Sequence, residues 1–353
     1  MSIDSKFWDG RRVFLTGHTG FKGGWLSIWL HHMGAKVTGY ALAPNTEKNL
    51  FEIAQVKEGI TSVIGDIRDA ANLEQAIEAA DPEIVIHMAA QPLVRESYKN
   101  PVETYSTNVM GLLQVYEACR KLSNLRAIVN VTSDKCYENN EWVWSYREND
   151  PMGGFDPYSN SKGCAELVTS AYRRSFFEGM GIHIASGRAG NVIGGGDWSA
   201  DRLVPDALNA FANGRPLIVR NPKAERPWQH VLEPLSGYLA LAQRLFTDGN
   251  AFASGWNFGP AVDQAWPVSR IADTLTSLWQ GGASWELSTE KGPHEAHLLA
   301  LDSTKAYRDL GWTPTWDIQT SLQKTVQWYE AYLNGDNMRL TCQAQIAAFC
   351  KVP

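Results

Sequence analysis

With 353 residues, 44% of them hydrophobic and 20% charged, the chain can bury one large core or two moderate ones. A net charge of -6 offers no basic surface for nucleic acid, so an anionic ligand would need a locally cationic pocket. No apolar run reaches membrane-spanning length and the N-terminus MSIDSKFWDGRRVFLTG holds no cleavable apolar leader, which predicts a cytoplasmic protein.

The first element is a buried strand, Arg12 to Thr16, followed by the turn GHTGFKG and an apolar helix through Trp25, Leu26, Ile28, Trp29 and Leu30 that stops at Gly34. Gly17, Gly20 and Gly23 are spaced to let a backbone approach a pyrophosphate at a helix N-terminus, where free amides and the helix dipole favour negative charge. His18 and Lys22 lie inside this turn as candidate phosphate contacts, though Lys22 equally fits a solvated lysine at a helix start. The second strand, Lys36 to Ala41, leads into TGYALAPNTEK with no acid before Glu47, which leaves NAD against NADP open.

A third strand, Ser62 to Gly65, ends at Asp66 and Ile67, a carboxylate and an apolar face suited to an adenine. A helix from Asn72 to Ala80 precedes the strand EIVIHMAA, whose small residues Ala89 and Ala90 permit close approach of a cofactor. Val102 to Lys121 reads as one long helix with an apolar stripe wider than a single sheet contact requires. Ala127 to Thr132 is a fifth strand that delivers Ser133, Asp134 and Lys135, and Tyr158 and Lys162 follow one turn apart on one face of a helix. A lysine ammonium there favours the phenolate of the tyrosine.

Strands alternating with helices imply an α/β fold, a Rossmann-type doubly wound parallel sheet with ligands outside the strand carboxyl ends. IHIASGRAGNVIGGGDW supplies a sixth strand with Arg188 and Asn191, after which the alternation fails from about Arg202. Residues 1–200 are expected to form the dinucleotide-binding and catalytic region. Residues 201–353 are expected to form mainly a smaller substrate-binding region, with some later segments returning to the first. Helices are expected near Leu235 to Phe246, Val268 to Trp279 and Thr320 to Leu333, and the tail after Gly335 has no readable role. Five cysteines (Cys119, Cys136, Cys164, Cys342, Cys350) without metal-site spacing, and no His-Glu-x-x-His arrangement, argue against a disulfide framework or a bound metal; His294 and His297 fall in a loop.

GHTGFKG, Asp66-Ile67, HMAA, the Ser-Asp-Lys strand end and YSNSK together resemble the extended short-chain dehydrogenase/reductase family, through about residue 330. Within it the chain resembles the nucleotide-sugar 4,6-dehydratases, and among them those acting on CDP-glucose, where Asp-Lys stands in the place of the Asp-Glu found with other sugar nucleotides. The resemblance implies bound NAD, CDP-glucose as substrate, CDP-4-keto-6-deoxy-glucose as product and a place in deoxysugar synthesis for O-antigen. It implies that Ser133 holds the sugar hydroxyl, Tyr158 takes the C4 hydroxyl proton, Lys162 lowers the tyrosine pKa and binds the nicotinamide ribose, Lys135 removes the C5 proton and Asp134 assists loss of the C6 hydroxyl.

It places Gly17, His18, Gly20, Phe21, Lys22, Gly23, Asp66, Ile67, Ala89, Ala90, Thr107, Tyr158 and Lys162 around the cofactor, and Asn191, Arg202 and Arg226 around the sugar nucleotide. On chemistry alone, Lys135 also fits a salt bridge to Asp134 or a nearby acid, and Arg226 a surface arginine. A homodimer or homotetramer built on the Val102 to Lys121 and Tyr158 to Phe177 helices is expected. A 4-epimerase or reductase on the same scaffold is the alternative; a noncatalytic dinucleotide sensor fits poorly, because the Tyr and Lys are present.

Overall fold

The computed structural model describes residues 3–261, 264–288 and 298–352. In chain order the strands are β1 Arg12–Thr16, β2 Lys36–Ala41, β3 Thr61–Ile64, β4 Ile84–His87, β5 Ala127–Val131, β6 His183–Ala189, β7 Val192–Ile193, β8 Leu217–Val219, β9 Glu225–Arg226, β10 Gln229–His230, β11 Gly255–Phe258, β12 Trp266–Pro267 and β13 Trp285–Leu287. Seven of them form one parallel sheet in the order β11-β6-β5-β4-β1-β2-β3. The order reverses beside β1, which pairs with both β2 and β4, and a crevice therefore opens at the carboxyl ends of β1 and β4.

The central strands are buried and mostly apolar because both faces are covered. Val13, Leu15, Ile84, Ile86, Val129 and Val131 join the core beneath helices Phe21–His32 and Leu232–Asp248. Phe14, Val85, Ile128 and Ile184 alternate to the opposite face, under helices Ala70–Ala80, Leu112–Cys119 and Pro157–Tyr172. Residues beyond 200 return to the sheet through β11, which adds to β6 as its outermost strand. The remaining short strands pair among themselves, β7 with β10, β8 with β13 and β9 with β12, and fold the later segments over the carboxyl edge.

The long helix after Asn100 departs from its expected form. It starts with Pro101 in its first turn and runs to Cys119, but Ser106–Gly111 is a π-helical turn within it. Ile67 presses on this turn so closely that a Cβ at Gly111 would lie 2.6 Å from Ile67 Cδ1. π turns recur at functional sites because they re-aim side chains within an otherwise regular helix.

The tail is also structured. Met338–Cys350 is a helix that buries Met338, Cys342, Ile346 and Phe349, and the Phe349 ring meets Trp29 and Trp316 edge to face. Its role is to cover the helix that follows the glycine turn, which a polar-looking segment such as NGDNMRLTCQ conceals. All five cysteines are free thiols. Among the described residues no helix is long and apolar enough to cross a membrane. His294 and His297 lie outside the described residues.

Candidate active site

The glycine turn is built by close approach. Gly17 has φ +82°, donates its N–H to Tyr40 O at 2.9 Å, and leaves no room for a side chain, whose Cβ would lie 2.9 Å from Ala89 N. A Cβ at Gly23 would lie 2.0 Å from Gly17 O, so helix and turn touch only because both positions are glycine. At Gly20 the nearest atom to such a Cβ is 3.4 Å away, and no side chain caps the helix that begins at Phe21. Its first-turn amides are therefore available to an anion, and the cradle fits a dinucleotide pyrophosphate. Phe21 packs against Gly194, whose Cβ would lie 3.2 Å from the ring.

His18 and Lys22 both make contacts with the protein itself in this turn. His18 is buried, bonds Ser62 Oγ through Nε2 at 2.7 Å, and fills the space above Gly39; burial lowers its pKa to about 4, so it brings no charge to an anion. Lys22 reaches the other way, with Nζ 5.9 Å from the Tyr238 ring centre. Burial, then the charges of Arg202 and Lys162, lower its pKa to about 7, while Asp134 and Asp197 act against them. Of the two expected phosphate contacts, His18 brings no charge, and Lys22 approaches the catalytic cluster instead of standing as a solvated lysine at the helix start.

Further along the crevice, Asp66 is locked by Arg68 in contacts of 2.6 to 3.0 Å, which hold its pKa below the usual range, and Ile67 is buried beside it. Ala89 and Ala90 lie just past the end of β4 with partly open side chains. Thr107 lies in the π turn, which is tied to that strand end by Asn108. Asn108 Oδ1 accepts from Gln91 N at 2.8 Å, and its Nδ2 donates to Gln91 O at 3.1 Å and to Ser161 Oγ at 2.9 Å. A lone asparagine in an apolar helix was the only signal in the sequence for this link.

At the end of β5 the chain turns sharply. Ser133 caps the short 3₁₀ turn Asp134–Cys136, its Oγ accepting from Lys135 N at 3.2 Å and donating to Asp134 Oδ1 at 2.9 Å. Asp134 is 2% exposed and its Oδ2 has no hydrogen-bond partner. Burial raises its pKa, against the opposing pull of Lys135, the Ser133 hydroxyl and Arg226. No ion pair among the described residues joins Lys135 to Asp134, so the salt-bridge alternative is not formed.

Tyr158 enters from the facing helix. Asp156 caps that helix by accepting from Ser159 N at 2.9 Å, and Pro157 pre-sets its first residue, which fixes Tyr158 in the first turn. Burial drives the Tyr158 pKa up to about 12, with the Ser133 hydrogen bond lowering it and Asp134 raising it. Lys162 donates from Nζ to Val131 O at 3.4 Å, and burial lowers its pKa to about 8 against the charge of Glu166. The expected depression of Tyr158 by Lys162 is therefore not the dominant effect in this cavity; desolvation outweighs it.

The residues expected to hold the sugar nucleotide come from the later half. Asn191 O accepts from Gln229 N at 3.0 Å where β7 meets β10. Arg202 pairs with the buried Asp197 at 3.0 Å, and Arg226, 9% exposed on β9, donates to Glu225 O at 2.9 Å and faces Asp134. Sequence reasoning missed Glu166, four residues beyond Lys162 and buried on the same helix.

A parallel sheet with its crevice at the strand reversal, a glycine turn opening a helix, and a Ser, Tyr and Lys gathered at the next strand end define a dinucleotide-binding short-chain dehydrogenase/reductase fold. The chain belongs to the family whose model is described as GDP-mannose 4,6 dehydratase, which matches residues 14–325. It is 56% identical to the CDP-glucose 4,6-dehydratase of Salmonella typhimurium, over 98% of each chain. Two solved structures share the fold. UDP-glucose-4-epimerase from Stenotrophomonas maltophila, with bound NAD and a formylated UDP-arabinopyranose, superposes with a TM-score of 0.81 at 20% identity, over 92% of this chain and 99% of that one. A dTDP-glucose 4,6-dehydratase from Bacillus anthracis in complex with NAD gives a TM-score of 0.75 at 20% identity, over 93% and 99%.

Proposed function

We propose that this protein is an NAD-dependent hydro-lyase that converts CDP-D-glucose to CDP-4-keto-6-deoxy-D-glucose. The observation that carries this reading is the Ser133–Asp134–Lys135 turn beside Tyr158, in which the buried acid is raised in pKa and keeps one oxygen unbonded. An epimerase or reductase needs no second acid and base at this strand end. The 56% identity to a CDP-glucose 4,6-dehydratase supports the substrate.

Bound NAD supplies the acceptor and later the donor of a hydride, and the positive charge of its ring favours the Tyr158 phenolate. Tyr158 then takes the C4 hydroxyl proton at its phenolic oxygen, while Ser133 Oγ holds the same hydroxyl in place. The resulting ketone acidifies the C5 hydrogen. Lys135 Nζ removes that proton, and Asp134, whose hold on a proton burial strengthens, donates one to the departing C6 hydroxyl. Lys162 fixes the cofactor ribose and Arg226 the diphosphate.

Exposed apolar side chains on two neighbouring helical runs, Val102 and Met110 on one and Leu167 and Phe176 on the other, support a homodimer or homotetramer through these faces. Sedimentation as a monomer at micromolar concentration would reject it. The catalytic reading is tested with CDP-glucose deuterated at C4: the label should appear in the C6 methyl group of the product. Label that washes out or stays at C4 overturns the dehydratase assignment.

A further inference from the structure

The mechanism above uses Tyr158 and Lys162 but leaves unused the most heavily bonded carboxylate in the neighbourhood. Glu166 lies one helical turn beyond Lys162, and both it and its partner Arg188 have side chains 5% exposed. Every acceptor position of Glu166 is taken. Oε1 accepts from Thr132 Oγ1 at 2.5 Å and from Arg188 Nε at 2.9 Å. Oε2 accepts from Ser186 Oγ at 2.6 Å and from Arg188 Nη2 at 2.8 Å. Arg188 is in turn fixed by donating to Tyr137 OH at 2.6 Å and Glu148 O at 3.0 Å.

We infer that Glu166 is a positioning residue that acts in two directions, keeping Lys162 charged for its task and pinning the strand end that presents Ser133. The inference rests on the dehydratase reading of the site. Thr132, which Glu166 grips, immediately precedes Ser133, so the carboxylate ties the end of β5 to the helix that carries Tyr158 and Lys162. A buried ion pair is a poor source of net stability, since desolvating two charges offsets their attraction, and this one is better placed to serve geometry and charge.

Lys162 has few charged neighbours. Lys22 from the glycine-turn helix is a like charge, and His87 on β4, whose pKa burial holds at about 3, brings none. Cys136 from the 3₁₀ turn is a thiol held neutral by burial, and Val131 O from β5 is an uncharged acceptor. The charge that favours the Lys162 ammonium is that of Glu166, whose pKa burial would raise but which Arg188 and the hydrogen bonds keep low.

The test uses Glu166→Gln and, should that change unfold the protein, the double variant Glu166→Leu/Arg188→Met, which replaces the pair with apolar groups. Two quantities are read in wild type and variants. One is the pH midpoint for acetylation of Lys162 by trace acetic anhydride in the cofactor-free protein, followed by mass spectrometry. The other is the alkaline limb of kcat/KM with CDP-glucose. Both should move down by about one pH unit or more in the variants, with kcat/KM depressed roughly two- to fivefold between the old and new midpoints and approaching tenfold above the old one. Thr132→Val, which removes the strand link but no charge, should leave the acetylation midpoint in place. Unmoved midpoints in the variant that folds, with activity lowered evenly at all pH values, overturn the inference and leave a structural pair. Wild-type protein inactive on CDP-glucose sinks the dehydratase reading instead, while the acetylation midpoints still decide the charge role of Glu166.

Discussion

Gly190 and Asp134 are held so close that a Cβ on the glycine would sit 3.1 Å from Asp134 Oδ2, the unbonded oxygen of the buried acid. The same atom would lie 2.7 Å from Cγ of Pro227, a ring that cannot swing away. Gly190→Ala should therefore displace either the acid or the Arg226 segment, costing roughly 1 to 3 kcal/mol of stability and lowering kcat more than it raises KM. Thermal unfolding and steady-state kinetics on CDP-glucose check both.

Tyr158 and Lys135 are proposed for successive proton transfers, so their removal should stop the reaction at different points. Tyr158→Phe should cut the first oxidation by on the order of 100- to 10,000-fold, with no reduced cofactor appearing in a single turnover. Lys135→Ala should still bind and oxidise the sugar, and should accumulate reduced nicotinamide absorbance without releasing the 4-keto-6-deoxy product. Wild-type turnover in Lys135→Ala would move the C5 base to another residue.

The contact of Gly23 with Gly17 O leaves no room for a methyl group, whose carbon would lie 2.0 Å from that oxygen. Gly23→Ala should open the turn and abolish the rise in melting temperature that NAD gives the wild type, while Gly10→Ala, where nothing lies within 4 Å, should retain that rise even though its φ of +72° costs stability. An unchanged NAD-dependent rise in Gly23→Ala would place the pyrophosphate elsewhere.

Glu233 is fully buried and accepts from the backbone N–H groups of Thr315 at 2.9 Å and Trp316 at 2.7 Å. Burial nevertheless raises its pKa to about 8, so the folded protein retains a proton that the unfolded chain releases near pH 4.5. The stabilisation is complete below the unfolded pKa and is lost as pH rises towards the folded one. Between about pH 5 and 8 the wild type should lose up to roughly 1.4 kcal/mol of stability per pH unit relative to Glu233→Gln. Denaturant titrations at several pH values measure that slope, and parallel curves for the two proteins would refute it.

Much of this architecture was written in local patterns. The glycine spacing, the mostly apolar strands and the Ser-Asp-Lys and Tyr-x-x-x-Lys groups each sit within a few residues of one another, and the doubly wound parallel sheet follows from strands alternating with helices. What depended on distant packing was not legible. The side chain of His18 turns towards Ser62 because Gly39 leaves a hole for it, a fact spread over three separate strands and turns. Lys22 likewise owes its lowered pKa to burial and then to Arg202, and its ring contact to Tyr238, both from the far half of the chain. The π turn at Ser106–Gly111 and the covering helix Met338–Cys350 likewise reflect partners such as Ile67 and Trp29 that no local window contains.

The outermost strand, β11, arrives from residues 255–258 to pair with β6, which ends at Ala189. During synthesis the hydrogen-bonding edge of β6 stays naked while the ribosome makes the intervening stretch, and such an edge invites pairing with a second nascent chain. Fragments that stop short of Gly255 should therefore precipitate when expressed, and chaperone dependence should concentrate in that interval of translation.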